Sequence, residues 1–260
     1  MTSMDASALA LSASMAIAAG LIGSFALMRR MTLAADALSH VALPGIGLAI
    51  IIRVNPLIGA VAALAAGAVL VWALEARTRL ATETLIGVAF SAALAAGALL
   101  TTGDELMEAL FGGPGQASLS SWELAAGIVA AAAVIAFVVL ARDRLVIMLV
   151  SRDVAVTAGV RVQRLSLAYL LAFAVTIALG LRYLGVLLMG SLVIIPPATA
   201  RYLARNLTQM LMLSAGLALV ATIAGTALAE HLRRPTGPLI VGVAAAAFFV
   251  AVAVARPSAR

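Results

Sequence analysis

Residues 34–53 decide the fold: Ala-Ala-Asp-Ala-Leu-Ser-His-Val-Ala-Leu-Pro-Gly-Ile-Gly-Leu-Ala-Ile-Ile-Ile-Arg. The run is apolar enough to lie in a membrane, yet it holds a carboxylate at Asp36 and an imidazole at His40. Four residues apart on a helix, the two project from one face, one turn above the other. Ionisable groups at membrane depth are costly and face a polar interior or a pathway rather than lipid. Carboxylate and imidazole together suit a divalent metal such as Zn²⁺. The competing reading is that Asp36 and His40 pair with each other or cap the helix. Pro44 has no N–H for the carbonyl of residue 40 and its ring crowds that carbonyl, so a kink is expected there.

The surrounding chain supports a membrane setting. Of its 260 residues 64% are hydrophobic and 11% charged, against about 25% charged in soluble domains. Several apolar stretches approach or exceed the ~18 residues that span a bilayer as a helix. The ~10-residue alternating segments of an outer-membrane barrel are missing. The fold class is therefore all-α, a polytopic transmembrane helical bundle forming one integral-membrane domain over residues 1–260. The chain has no cysteine, which excludes thiolate metal sites and leaves oxygen and nitrogen ligands. It also has no lysine, so all 17 basic residues are arginine. The +6 net charge reflects arginines in loops and reports topology; it is no nucleic-acid signature. The first seven residues carry Asp5 and no positive charge, so the first apolar stretch is expected to be a retained helix and not a cleaved signal.

The expected spans are 8–28, 34–53, 56–75, 83–101, 122–141, 165–181, 184–204, 208–229 and 237–255. That is nine. Only Arg182 and Tyr183 separate the sixth from the seventh, so eight is the alternative. Thirteen arginines fall in one set of loops: Arg29, Arg30, Arg77, Arg79, Arg142, Arg144, Arg152, Arg161, Arg164, Arg201, Arg205, Arg256 and Arg260. The opposite set holds four: Arg53, Arg182, Arg233 and Arg234. The positive-inside rule places the first set in the cytoplasm, with the N-terminus out and the C-terminus in.

Two long loops follow. The outer one, 102–121, carries Asp104, Glu105 and Glu108 ahead of a Gly112-Gly113-Pro114-Gly115 turn region; the acids attract cations or form a solvated face. The inner one, 142–164, contains Asp153 early and Gly159 late in a stretch short enough for one small helix. An acid suits a helix start and Gly its end. Flanked by arginines, this segment reads as a docking surface or as an ordinary connector. Pro196 and Pro197 break the seventh span and leave the carbonyls of Leu192 and Val193 without their helical donors. Such a break lines a pathway or is a tolerated kink. Glu230 and His231, near an outer boundary, suit a weak metal contact or a helix cap.

Taken together these motifs resemble one family, the membrane permease subunits of bacterial ATP-binding-cassette importers for zinc, manganese and iron(II). The residues carrying the resemblance are Asp36 through Gly45, Thr84-Leu-Ile-Gly-Val88, Leu110-Phe-Gly112, Arg152-Asp-Val-Ala-Val-Thr-Ala-Gly159, residues 184–201 around Pro196-Pro197-Ala-Thr-Ala, and Pro235-Thr-Gly-Pro238. They occur in order over nearly the whole chain. The 152–160 and 198–201 stretches look most like zinc-uptake permeases. Pro197 stands where the family commonly has Ala, and Glu230-His231 matches no pattern of that family.

The resemblance implies a homodimeric permease in the bacterial inner membrane, two cytoplasmic ATPase subunits and an extracytoplasmic metal-binding protein. It implies a metal station at Asp36 and His40. It implies an ATPase-coupling segment within 151–160, carried by Asp153, Ala155 and Gly159. Pro44, Pro196 and Pro197 would be helix breaks or gates. The metal is cargo, zinc first and manganese or iron(II) next, with no cofactor bound permanently. The chain lacks a Gly-x-x-x-x-Gly-Lys phosphate loop, so an ATPase would be another polypeptide. The rival functions are a proton-coupled secondary metal transporter using Asp36 and His40 as a relay, an integral-membrane enzyme, and a structural scaffold.

Overall fold

A computed structural model describes residues 6–32, 34–78, 80–100, 121–183 and 186–254. Among these, all regular structure is helical: α1 (Ala6–Met28), α2 (Ala34–Ile51), α3 (Pro56–Arg77), α4 (Thr82–Leu100), α5 (Ser121–Val150), α6 (Arg152–Thr157), α7 (Val162–Tyr183), α8 (Val186–Leu203), α9 (Leu207–Leu232) and α10 (Thr236–Val254). Seven of them, α1, α3, α4, α5, α7, α9 and α10, are long and apolar enough to cross a membrane. α2 is a shorter apolar helix over Ala37–Ile51. The acidic outer loop at 102–121 lies outside the described residues but for its last one, and the Leu110-Phe-Gly112 motif with it.

α1 and α7 form the centre. About two thirds of each is buried, whereas the other five membrane-length helices bury a third or less. Phe25, Ile22, Met15 and Leu11 of α1 and Tyr169, Phe173 and Leu170 of α7 are fully buried. Tyr169 donates its hydroxyl to the Ile22 carbonyl at 3.1 Å, which satisfies the one polar atom of a large ring placed in the core. α8, α9 and α5 also pack on α1, while α2, α3 and α4 form a side group joined to the centre through α7 and α8.

Small residues set how closely the helices approach, as expected where lipid removes the hydrophobic gain of helix association. The closest crossing joins α2 to α3. A Cβ built on Gly45 would overlap the Gly59 carbonyl oxygen, and one on Gly59 would overlap the Gly45 carbonyl oxygen. The Pro196-Pro197 pair was expected to break its span, but α8 runs unbroken from Val186 to Leu203 with both prolines inside it, and it meets α1 in a similar way. A Cβ on Gly23 would overlap the Val193 carbonyl oxygen and come 3.0 Å from Pro197 Cγ. Pro196 and Pro197 are both buried. The carbonyl freed by Pro197 is thus packed against α1 backbone.

Four helix ends share one closure. In α1 the Met31 N–H donates to the Ala26 carbonyl and the Arg30 N–H to Leu27. Val54 to Ala49 with Arg53 to Ile50 repeats the pattern in α2, and Val160 to Ala155 with Gly159 to Val156 repeats it in α6. At α9, Arg234 donates to the Ala229 carbonyl. The turning residue is left-handed in each: Arg30 at φ 58°, Arg53 at 57°, Arg233 at 52° and Gly159 at 77°. Gly is usual there; three arginines take the position, where their charge complements the helix dipole. After Arg53 the chain turns through Asn55, whose side chain accepts the Leu57 N–H at 2.9 Å, and enters α3 at Pro56.

The helices match the expected spans closely, with one difference. The fifth was expected to end at 141, yet α5 runs to Val150. Arg142, Asp143 and Arg144 are a charged turn of that helix rather than loop. Arg142 pairs with Asp143 at 3.0 Å and donates to Thr208 of α9 at 3.3 Å. A helix needs no apolar environment to continue once its end reaches water, so the polar residues mark the membrane edge and not the helix end.

Candidate functional site

Residues 36 and 40 lie one turn apart on α2. The Asp36 side chain lies outside the described residues. The His40 ring meets Phe90 of α4 edge-on, with centroids 5.4 Å apart and planes at 63°. Its Nδ1 is buried and has no hydrogen-bond partner among the described residues. An unsatisfied buried nitrogen costs about 1–3 kcal/mol, so it marks a place where a further ligand or ion would gain. The ring as a whole is only partly covered.

The surroundings hold α2 firmly. Val41 abuts Gly67 of α3, where an added Cβ would come within 2.8 Å of Val41 Cγ1. Leu43 and Pro44 abut Gly97 of α4, where it would lie 3.2 Å from Leu43 Cβ and 3.5 Å from Pro44 Cδ. Pro44 lies inside the helix, so the carbonyl of His40 has no helical donor at residue 44. α2 therefore offers an imidazole and a freed backbone oxygen at one level, one turn beyond a carboxylate in sequence. Among the described residues no three His, Cys, Asp or Glu side chains come together as a metal cluster. The described residues alone supply at most part of a coordination shell.

The 153–159 segment is a short helix, α6, as its ends implied. Ser151 caps it, its hydroxyl accepting the Val154 N–H at 3.3 Å, and Asp153 sits in the first turn. Ala155 is fully buried, while Val154 and Val156 are exposed. A Cβ at Gly159 would meet nothing within 4 Å, so that position is constrained by its left-handed backbone alone. Glu230 and His231 are exposed in the last turn of α9, and no metal cluster includes them.

A second constellation was not foreseen. Glu75, near the end of α3, accepts from Arg152 of α6 at 3.4 Å and from Ser166 of α7 at 3.3 Å, and lies 3.9 Å from Arg29. Arg29 donates to Ser166 at 3.4 Å and lies over the Tyr169 ring, 4.9 Å from its centroid. Trp72, one turn before Glu75, donates its indole N–H to the Gln163 carbonyl at 2.9 Å. The available signal was a lone carboxylate at the end of an apolar run, which membrane energetics flags by default.

The sequence profile of the ABC 3 transport family matches residues 2–255. The manganese transport system membrane protein MntC of Listeria innocua is 29% identical over 248 residues, spanning 94% of this chain and 88% of that protein. The high-affinity zinc uptake system membrane protein ZnuB of Haemophilus influenzae is 30% identical over 227 residues, spanning 85% of each. Among solved structures, PsaBC from Streptococcus pneumoniae in complex with Fab superposes with a TM-score of 0.80 at 25% identity, over 95% of this chain and 90% of that one.

Proposed function

We propose, from the premise that this chain belongs to the ABC 3 transport family, that it conducts a divalent transition-metal ion into the cell, with zinc first and manganese next. At the coarser level it is a membrane permease of metal-ion ABC importers, a multi-pass protein of the bacterial inner membrane, and performs no bond chemistry itself. The observation carrying the finer reading is His40: a buried Nδ1 with no hydrogen-bond partner among the described residues, on a helix with Pro44 in its next turn. A second copy, meeting the first at the open side of α2 and α4, would double Asp36 and His40. Two carboxylates and two imidazoles suit tetrahedral Zn²⁺. Manganese is the second reading, because the Listeria relative is named for it and carboxylate with water also suits that ion.

The rest of the assembly follows from this reading. Two cytoplasmic ATPase subunits would seat on α6, and an extracytoplasmic binding protein would deliver the ion. Pro44 would free the His40 carbonyl at the station without ending the helix. The packing of Val193 and Pro197 on Gly23 favours a fixed kink over a pore lining for Pro196 and Pro197. The test is flux in proteoliposomes holding permease, ATPase and binding protein, with zinc, manganese and iron(II) offered singly and in competition. Zinc flux that needs ATP supports the reading. Equal flux by the permease alone, driven by a proton gradient, would replace it with a secondary transporter.

Nine spans with the N-terminus out and the C-terminus in remain the proposed topology, α2 and α8 being counted with the seven longer helices. A reporter fused after Arg260 is expected to read cytoplasmic and one near Gly115 extracytoplasmic. An extracytoplasmic C-terminus would remove one span, at the Arg182 junction.

Gly159→Val is expected to uncouple ATP hydrolysis from transport while leaving the bundle folded. A β-branched residue forced to φ near 77° costs about 1–2 kcal/mol, all of it spent on the end of α6. The measurement is ATP hydrolysed per ion moved; an unchanged ratio with normal complex formation would remove α6 from the coupling role.

A further inference from the structure

We infer that Glu75 is the positioning residue through which movement of α6 reaches α3, and with α3 the His40 station on α2. The inference rests on the importer reading above and deepens it. Among the described residues, the contact of Arg152 with Glu75 is the one polar side-chain link from α6 to a membrane-length helix. Its two sides are unequal. The Arg152 side chain is 52% exposed, whereas those of Glu75 and Arg29 are 11% exposed each. Arg152 is thus the accessible end, and Glu75 is anchored from behind by Ser166 and by Arg29, whose guanidinium lies over Tyr169.

What Glu75 feels, α2 feels. α3 and α2 interlock at Gly59 and Gly45 through mutual backbone contact, and again at Gly67 and Val41. Neither helix can slide past the other without opening that contact, so a pull at the Glu75 end is carried as rigid-body motion. The competing routes are covalent: α5 joins α6 through Ser151 alone and α6 continues into α7 through residues 158–161, so either α5 or α7 could be moved without Glu75. The polar and covalent routes separate on one pair of side chains.

The experiment uses the whole transporter in proteoliposomes, with zinc flux and ATP hydrolysis read in parallel. Arg152→Ala and Glu75→Gln are each expected to lower zinc moved per ATP by about threefold to thirtyfold, the range of coupling residues remote from both ligands. In Glu75→Gln, whose side chain lies on α3 behind α6, ATPase association and zinc bound per permease stay at wild-type levels, which a merely structural lesion would not allow. Arg152→Lys keeps the charge and is expected to restore the ratio to within about twofold. The double variant is expected to be no worse than the worse single one, because both remove one interaction. A ratio within about twofold of wild type for Arg152→Ala, or losses that multiply in the double variant, would overturn the inference. Arg152 is half in water, so its variant decides the matter even where Glu75→Gln fails to fold. A wild-type assembly that moves zinc while both variants keep the ratio rejects Glu75 alone. One that moves no metal overturns the importer reading and this inference with it.

Discussion

Zinc uptake falls by at least ~100-fold when His40 is replaced by alanine, with the protein still present in the membrane at normal level: that is the expected result. Removing only a residue that orients a metal ligand typically costs ~10–100-fold, and His40 would be a ligand itself. The structural cost is small. The ring packs edge-on against Phe90, and its buried Nδ1 has no hydrogen-bond partner among the described residues, so alanine is expected to remove a desolvation penalty as well. Thermal stability in detergent should be unchanged or slightly raised, which separates a ligand from a structural histidine. Asp36→Asn distinguishes the two readings of the pair. An amide can still hydrogen-bond an imidazole, so a structural pair would keep much of its flux, whereas a metal station would lose it with the charge. Near-normal flux in both variants would remove α2 from the pathway.

The second large effect is on folding. Gly45→Val and Gly59→Val each drive a side chain into the opposing backbone carbonyl. Backbone cannot swing aside as a side chain does, so the loss should exceed the ~1–3 kcal/mol typical of added methylenes in a packed core. α2 would be displaced from α3 and His40 with it, giving low membrane levels and no flux. Gly216→Ala and Gly242→Ala are the controls: a Cβ at either site meets nothing within 4 Å, and alanine should be neutral or stabilising by up to ~1 kcal/mol. Gly45→Val with wild-type melting behaviour would mean that α2 and α3 do not approach this closely.

The helices were legible because apolar length alone reports a membrane span. Residues 56–75 and 208–229 were located within a few residues of α3 and α9 for that reason. The end of α5 was not, since Arg142 and Asp143 look like loop although they pair on a helix surface. The left-handed ends at Arg30, Arg53 and Arg233 were invisible too: arginine has no preference for that conformation, and only the hydrogen bonds of the turn identify it. For the site, spacing placed residues 36 and 40 a turn apart. It could not tell that the His40 ring packs on Phe90 with a buried Nδ1 that has no partner among the described residues, because that depends on α4. Glu75 escaped notice for the same reason: its partners come from α1, α6 and α7, the furthest 91 residues away in sequence.

The α2–α3 turn also bears on how the chain is made. α2 is short, contains Pro44 and carries a carboxylate at its third residue, so it is a weaker membrane segment than the 22-residue α3 that follows it. Its own stop at Arg53 and the Asn55-Pro56 start of α3 leave only residues 52–55 between the two helices. During synthesis α2 leaves the ribosome first, and the short turn means that it is expected to enter the bilayer together with α3 as a hairpin, closed by the packing of Gly45 on Gly59. The helix that carries Asp36 and His40 would then be, in biogenesis, a passenger of its neighbour.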